Sequence, residues 1–403
     1  MAGRCRSPKA GSPSARPGTR PGTPAARRWA SDPRRRVYHA SSPWGLLRCL
    51  PCGAVDFDLS ADQVALRDAA AGLLDDRCGM AAVRRACDGG GFDAGLWAAM
   101  VEQGWTGIAV PESLGGVGLG MVEAAVLLEQ TGAHLAPVPL LQQLAALAML
   151  ADGPWGERLL AGEAIACVAR TPLEQTGDGS VSGRTEPVIY GARADVLVAP
   201  AGDELVAVDL AGVERSPEPA MDQTRELAWI DLDAAPATTV GGPQEVAAHL
   251  DRGAVFHSAE MLGAADAVMN LAVEYAKVRE QFGRPIGSFQ AVKHRCADML
   301  VDVEGMRSAV YHAAWALGAA SADAPVAAAT AKIWCSDAGV RVAESALQVH
   351  GGIGFTWEAD VHLYLKRAQL DSVAFGDARH HRARLAAILR DRVASGASIW
   401  PDP

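Results

Sequence analysis

From Leu59 onward, apolar side chains recur at helical spacing. In ADQVALRDAAAGLLDD, Leu66, Ala70, Leu73 and Leu74 fall on one stripe, and Ser60 stands ahead of it as an N-cap. A second helix is predicted through FDAGLWAAMVEQG, and a third follows the glycine-rich stretch GWTGIAVPESLGGVGLG (104–120). Gly115, Gly116, Gly118 and Gly120 lack the GxGxxG spacing and a Lys-Ser/Thr ending, so this stretch reads as a connecting loop rather than a phosphate loop. Apolar helical sequence continues to about Leu160. Between 164 and 240 the period changes: AIACVA, SVSGRTEPVIY, ADVLVAPA, ELVAVDL and ELAWIDL are short strand-like runs parted by Gly, Pro and Asp. Helical periodicity then returns in long segments beginning PQEVAAHL, FQAVKHRC and PVAAATAK, with a last one around HHRARLAAILRDRVA.

The pattern predicts a mainly α chain with a small central β domain. An N-terminal helical domain spans 55–163, the β domain 164–242, and a C-terminal four-helix bundle 243–395. Composition agrees, because β-branched and aromatic residues are sparse while helix formers are plentiful. No apolar run approaches the roughly 20 residues that span a bilayer, and the body is expected to be cytoplasmic.

Charge separates the first 54 residues from the rest. They hold 11 Lys and Arg and one acid, Asp32, so 26 of the 37 basic and 46 of the 47 acidic residues lie beyond them. Residues 1–54 read as a disordered basic leader or a mis-assigned start. A transit peptide is one explanation, and translation beginning at Val55 is the preferred one. The remaining body, near −20, lacks the basic face that a nucleic-acid partner requires. The eight cysteines are scattered, with one CxxC at Cys49 and Cys52, and read as reduced thiols. His350, His362, His380 and His381 have no ligand partners at metal spacing, so no metal is expected.

Two words carry chemistry: YAKVREQFGRPIGSFQAVKHRCADM (275–299) and LQVHGGIGFTWE (347–358). Arg279 ends a long helix and offers a guanidinium fork; Gln281 and the backbone near Phe282 add donors before Gly283 and Pro285 turn the chain. Gln348 offers an amide, and Gly351, Gly352 and Gly354 permit close backbone approach. Taken singly, Arg279 is a C-terminal helix charge and the glycines a C-cap; together they resemble the acyl-CoA dehydrogenase family over essentially all of 56–395. The resemblance implies FAD as cofactor, with its ADP portion contacted by Arg279, Gln281, Phe282, Gln348, Gly351 and Gly352. That flavin is often one held by a neighbouring subunit. It also implies an acyl-CoA substrate and an electron-transferring flavoprotein as acceptor.

The same resemblance exposes departures. The family's reaction needs a carboxylate to remove the α-proton of the thioester, and its two usual places for that base fall here on Phe375 and Gly253. Neither side chain can accept a proton. The β-domain loop that usually touches the flavin ring is shortened to CVARTPLEQTGDGS, and Arg367 stands where an Asp is usual. This combination resembles one subunit of the actinobacterial heteromeric dehydrogenases for CoA esters of steroid side chains, whose partner supplies the base. Two alternatives stay open: a scaffold homologue without catalysis, and an active homotetramer with a base relocated to Asp251, Glu260 or Asp371.

Overall fold

The structure, a computed structural model, describes residues 58–177 and 179–399. The chain divides into two units, 1–54 and 55–403, and all described residues belong to the second; the basic leader lies outside them.

Six helices open the body: α1 Ala61–Arg77, α2 Met80–Asp88, α3 Ala94–Glu102, α4 Met121–Ala133, α5 Leu140–Leu150 and α6 Gly156–Leu160. Ser60 caps α1 in a full capping box with Gln63, and Ala70 and Leu74 are buried beneath its apolar stripe. The loop before α4 takes left-handed backbone at Gly115 and Gly118, as a connection would.

The strands are β1 Ala166–Val168, β2 Glu174–Gly177, β3 Ser180–Arg184, β4 Val188–Ile189, β5 Val196–Ala201, β6 Glu204–Asp209, β7 Glu214–Glu218 and β8 Leu227–Gly241. They form a mixed sheet in the order β1-β5-β6-β8-β3-β2, with β4 and β7 also on β8. Only β1 and β5 run parallel among these pairs. The long β8 joins two halves: its start pairs with β7 and β4, and its end with β6. Two strands, β2 and β7, are not apparent in the sequence, because β2 is polar and exposed and β7 is polar and only half-buried, leaving no apolar alternation to read.

After α7 Pro243–Val278 comes a hairpin of β9 Glu280–Gln281 and β10 Arg284–Pro285, then α8 Gln290–Gly318, α9 Ala324–His350, α10 Val361–Val373 and α11 Ala378–Ser395. The expected four helices are thus five among the described residues. The additional one, α10, carries Arg367 and Asp371 on its buried face, and such charges obscure an apolar stripe. Helices α4 and α7 touch backbone to backbone: a Cβ on Gly132 would lie 2.0 Å from Glu260 O, and one on Gly263 would lie 1.7 Å from Glu129 O. No described helix is long and apolar enough to cross a membrane. The five described cysteines are free, while Cys5, Cys49 and Cys52 lie outside the described residues.

Candidate functional site

The chain's first chemistry-bearing word folds into the tight turn its residues demand. Phe282 and Gly283 both take positive φ (54° and 74°), the pairing that a two-residue hairpin needs to match strand twist. The hairpin is closed by Ile286 N donating to Arg279 O at 2.8 Å. It projects from the end of α7, where Arg279 caps the helix and makes no ion pair among the described residues. The second word ends α9, where Gly351 leaves the helix at φ 66°. The rings of Tyr275 and His350 stack at 4.5 Å and bind the two words together.

A concavity of about 420 Å³ lies there, lined by Arg279, Gln281, Gly352, Tyr275 and His350 among others. The structure therefore brings three expected residues, Arg279, Gln281 and Gly352, to one place. Gly351 sits at the helix end beside them, and no atom outside its chain neighbours would come within 4 Å of a Cβ there. Gln348 is exposed on the last turn of α9 and does not line the concavity. Phe282 stands at the hairpin tip, 92% exposed, with its ring edge-on to Phe289. An unpaired guanidinium, an exposed amide and glycine backbone open to solvent form a donor set suited to a phosphate-bearing ligand.

The two places expected to hold a base meet each other. A Cβ at Gly253 would stand 2.1 Å from Phe375 Cδ1, so the phenyl ring rests directly on the glycine. Phe375 is buried and held at φ 54°, a conformation rare for a bulky residue. Its ring lies between His249 and His257, with centroids 5.4 and 5.7 Å away. His381 Nε2 donates to the Phe375 carbonyl at 2.9 Å. Burial holds His249 and His381 down to about 4, and burial lowers His257 as well. The space over Gly253 is thus filled by a phenyl ring flanked by neutral imidazoles.

Below it lies a charge network that no sequence motif announced. Arg367, fully buried, donates from Nε to Asp222 at 2.8 Å and from Nη1 to Glu260 at 3.2 Å, and also reaches the Thr224 hydroxyl. Arg225 donates to Asp371 at 2.8 Å and pairs with Glu260. His257 Nδ1 lies 3.1 Å from Asp371 Oδ1. Lys332, the buried cation of the alanine-rich α9, donates to the carbonyls of Asp371 and Ser372. Two arginines thus pair with three carboxylates, Lys332 adds a third positive charge nearby, and His257 is neutral, which is how a buried set can persist. Burial alone would raise Asp371, yet Arg225 holds it well below the usual carboxylate range. Burial lowers Lys332 to about 8.

The network explains why an arginine stands at 367, since Asp222 and Glu260 both need it. It also places the three carboxylates considered for a relocated base, each of them in an ion pair. Glu260 and Asp371 are locked to arginines, and Asp251 is paired with Arg384 at 2.5 Å. Donor atoms of His257, Glu260 and Asp371 lie within 4.8 Å of one another, but Arg225 already occupies the charge between the two carboxylates. The available sequence signal was weak: a single Lys332 amid AAATAK and an Arg-Ala pair on α10.

The chain matches the Acyl-CoA dehydrogenase N-terminal domain over residues 60–153 and the Acyl-CoA dehydrogenase C-terminal domain over residues 240–389. It is 37% identical over 337 residues to the acyl-CoA dehydrogenase IpdE2 of Mycolicibacterium smegmatis, covering 82% of this chain and 99% of that one. Its fold superposes on the ChsE4–ChsE5 complex from Mycobacterium tuberculosis with a TM-score of 0.79 at 31% identity, covering 84% of this chain and 99% of that chain. A variant of the Tcur3481–Tcur3483 steroid ACAD superposes with a TM-score of 0.78 at 29% identity, covering 83% and 99%.

Proposed function

The chain belongs to the acyl-CoA dehydrogenase family, oxidoreductases that act on CH–CH bonds, and from that premise we propose that it is the base-less subunit of a heteromeric flavin-dependent acyl-CoA dehydrogenase. The observation that carries this reading is the seating of Phe375 on Gly253. The two positions from which a carboxylate would remove the α-proton pack against each other, and nothing between them can accept a proton.

The proton acceptor then comes from a partner subunit of the same family. Two structural relatives, ChsE4–ChsE5 and Tcur3481–Tcur3483, are pairs, and the second is a steroid ACAD, which supports a steroid-derived acyl-CoA as substrate. This chain's part is to bind and orient. Arg279 would hold the pyrophosphate of an FAD shared with the partner, Gln281 and Gln348 would add hydrogen bonds, and Gly351 and Gly352 would admit the adenosine side at close range; Phe282 would cover it from the hairpin tip. FAD supplies the hydride acceptor for the β-carbon, with an electron-transferring flavoprotein as its oxidant. Phe375 packs between His249 and His257, whose rings are already engaged with the Ala169 carbonyl and with Asp371.

The reading is tested by purifying the full chain alone and co-expressed with a base-bearing acyl-CoA dehydrogenase subunit from the same source. The expected result is low flavin content and no turnover for the chain alone, with both acquired in the complex. Full flavin occupancy and turnover by the lone chain would overturn it; flavin-free, inactive complexes would instead favour the scaffold role.

A further inference from the structure

Away from the hairpin and from Phe375, α7 faces a second cavity of about 330 Å³, bounded by α5, the 106–114 loop and the start of α4. Its walls are largely apolar, with Val110, Leu114, Leu144, Leu147 and Phe256 among them. Into this lining comes Arg252. Its Nε and Nη1 are inaccessible to solvent and have no hydrogen-bond partner, and it forms no ion pair among the described residues.

Neighbouring charges relieve it only in part. Asp251, next in sequence, favours the charged guanidinium, but its carboxylate is paired with Arg384 at 2.5 Å and forms no ion pair with Arg252. Asp152 lines the same cavity without reaching salt-bridge distance. The Thr106 hydroxyl is spent on Leu160 O at 2.7 Å. Burial lowers Arg252 to about 10, which leaves it charged at neutral pH. Two guanidinium nitrogens shut off from water without a hydrogen-bond partner are costly, so a ligand oxygen that pairs with this group would be favoured.

We propose that this cavity binds a carboxylate borne on an apolar body, the carboxylate bridging the Arg252 guanidinium and the body filling the space between α5 and Phe256. Nothing in the dehydrogenase reading is required for this. The volume sits at the lower end of ordinary ligand pockets (about 300–1,000 Å³) and excludes a whole CoA ester. One cation with Asp152 nearby suits a monoanion and disfavours a phosphate dianion. The planar fork of arginine matches the two carboxylate oxygens.

The test is calorimetric titration of octanoate, with 1-octanol as its neutral counterpart, into the full chain as purified, with or without its partner. Three proteins are compared: unaltered, Arg252→Met and Ala109→Phe. Arg252→Met removes a buried unpaired charge, so its fold should be retained, as circular dichroism would verify. Octanoate is expected to bind saturably at one site and to lose at least about tenfold in affinity in Arg252→Met, the scale of a charged hydrogen bond. Octanol should bind both equally. Ala109→Phe, which fills the cavity while leaving Arg252 intact, should abolish binding of both. The proposal is overturned if no saturable octanoate binding occurs, or if binding survives Arg252→Met and Ala109→Phe unchanged.

Discussion

The phenyl ring of Phe375 lies on the Cα of Gly253, close enough that a methyl group on the glycine would sit 2.1 Å from the ring. One residue is large because the other has no side chain. The left-handed backbone at Phe375 is the strained part of this arrangement, and the ring's contacts with His249 and His257 hold it there.

Gly253→Ala should therefore cost about 1–3 kcal/mol, the range for forcing an added methyl into a packed core. Urea unfolding of Gly253→Ala, Phe375→Ala and the double variant forms a cycle. The double variant is expected to be more stable than the two single costs predict. Simple additivity would mean that the two residues do not meet.

Placing a carboxylate at the family's usual position should not create an enzyme. Phe375→Glu, assayed alone with acyl-CoA and an electron acceptor, is expected to remain without turnover, because under the proposed function the flavin-ring half of the site would belong to the partner. Measurable dehydrogenation by the lone variant would contradict the division of labour proposed above.

Arg279→Met should reduce flavin retention by the assembled complex about tenfold or more, the worth of one charge-assisted contact to phosphate. Flavin fluorescence after gel filtration reads this directly. Unaltered retention would remove Arg279 from the cofactor site.

Arg367→Met would leave Asp222 and Glu260 short of a cation, with an expected loss of about 3–5 kcal/mol in unfolding free energy. A loss below about 1 kcal/mol would mean that Arg225 and solvent compensate.

Stability should fall as the solution is acidified from pH 7 towards 4.5. His249 and His381 titrate near 4 when folded and near 6.5 when unfolded, so the unfolded chain binds more protons across that window. The stabilisation is present above pH 6.5 and lost as pH drops to about 4. His249→Gln and His381→Gln should each flatten the dependence of the urea midpoint on pH. An unchanged slope in both variants would refute the assignment.

Much of this was legible in the chain itself. Periodicities of 3.6 and 2 separate helix from strand because a buried face must recur at the period of its backbone, and the REQFG and QVHGG words carry their own turn chemistry in Gly283 and Gly351. The absence of a base at 253 and 375 could also be read directly, since residue type alone decides whether a proton can be accepted. Other features depended on contacts between residues far apart in sequence. That Phe375 fills the space left by Gly253, that Arg367 joins Asp222 to Glu260, and that Arg252 keeps two nitrogens without a hydrogen-bond partner were decided by tertiary packing of α7 against α5, α10 and the sheet. Charge compensation in a low-dielectric interior is a property of which side chains meet, and no local pattern encodes those meetings.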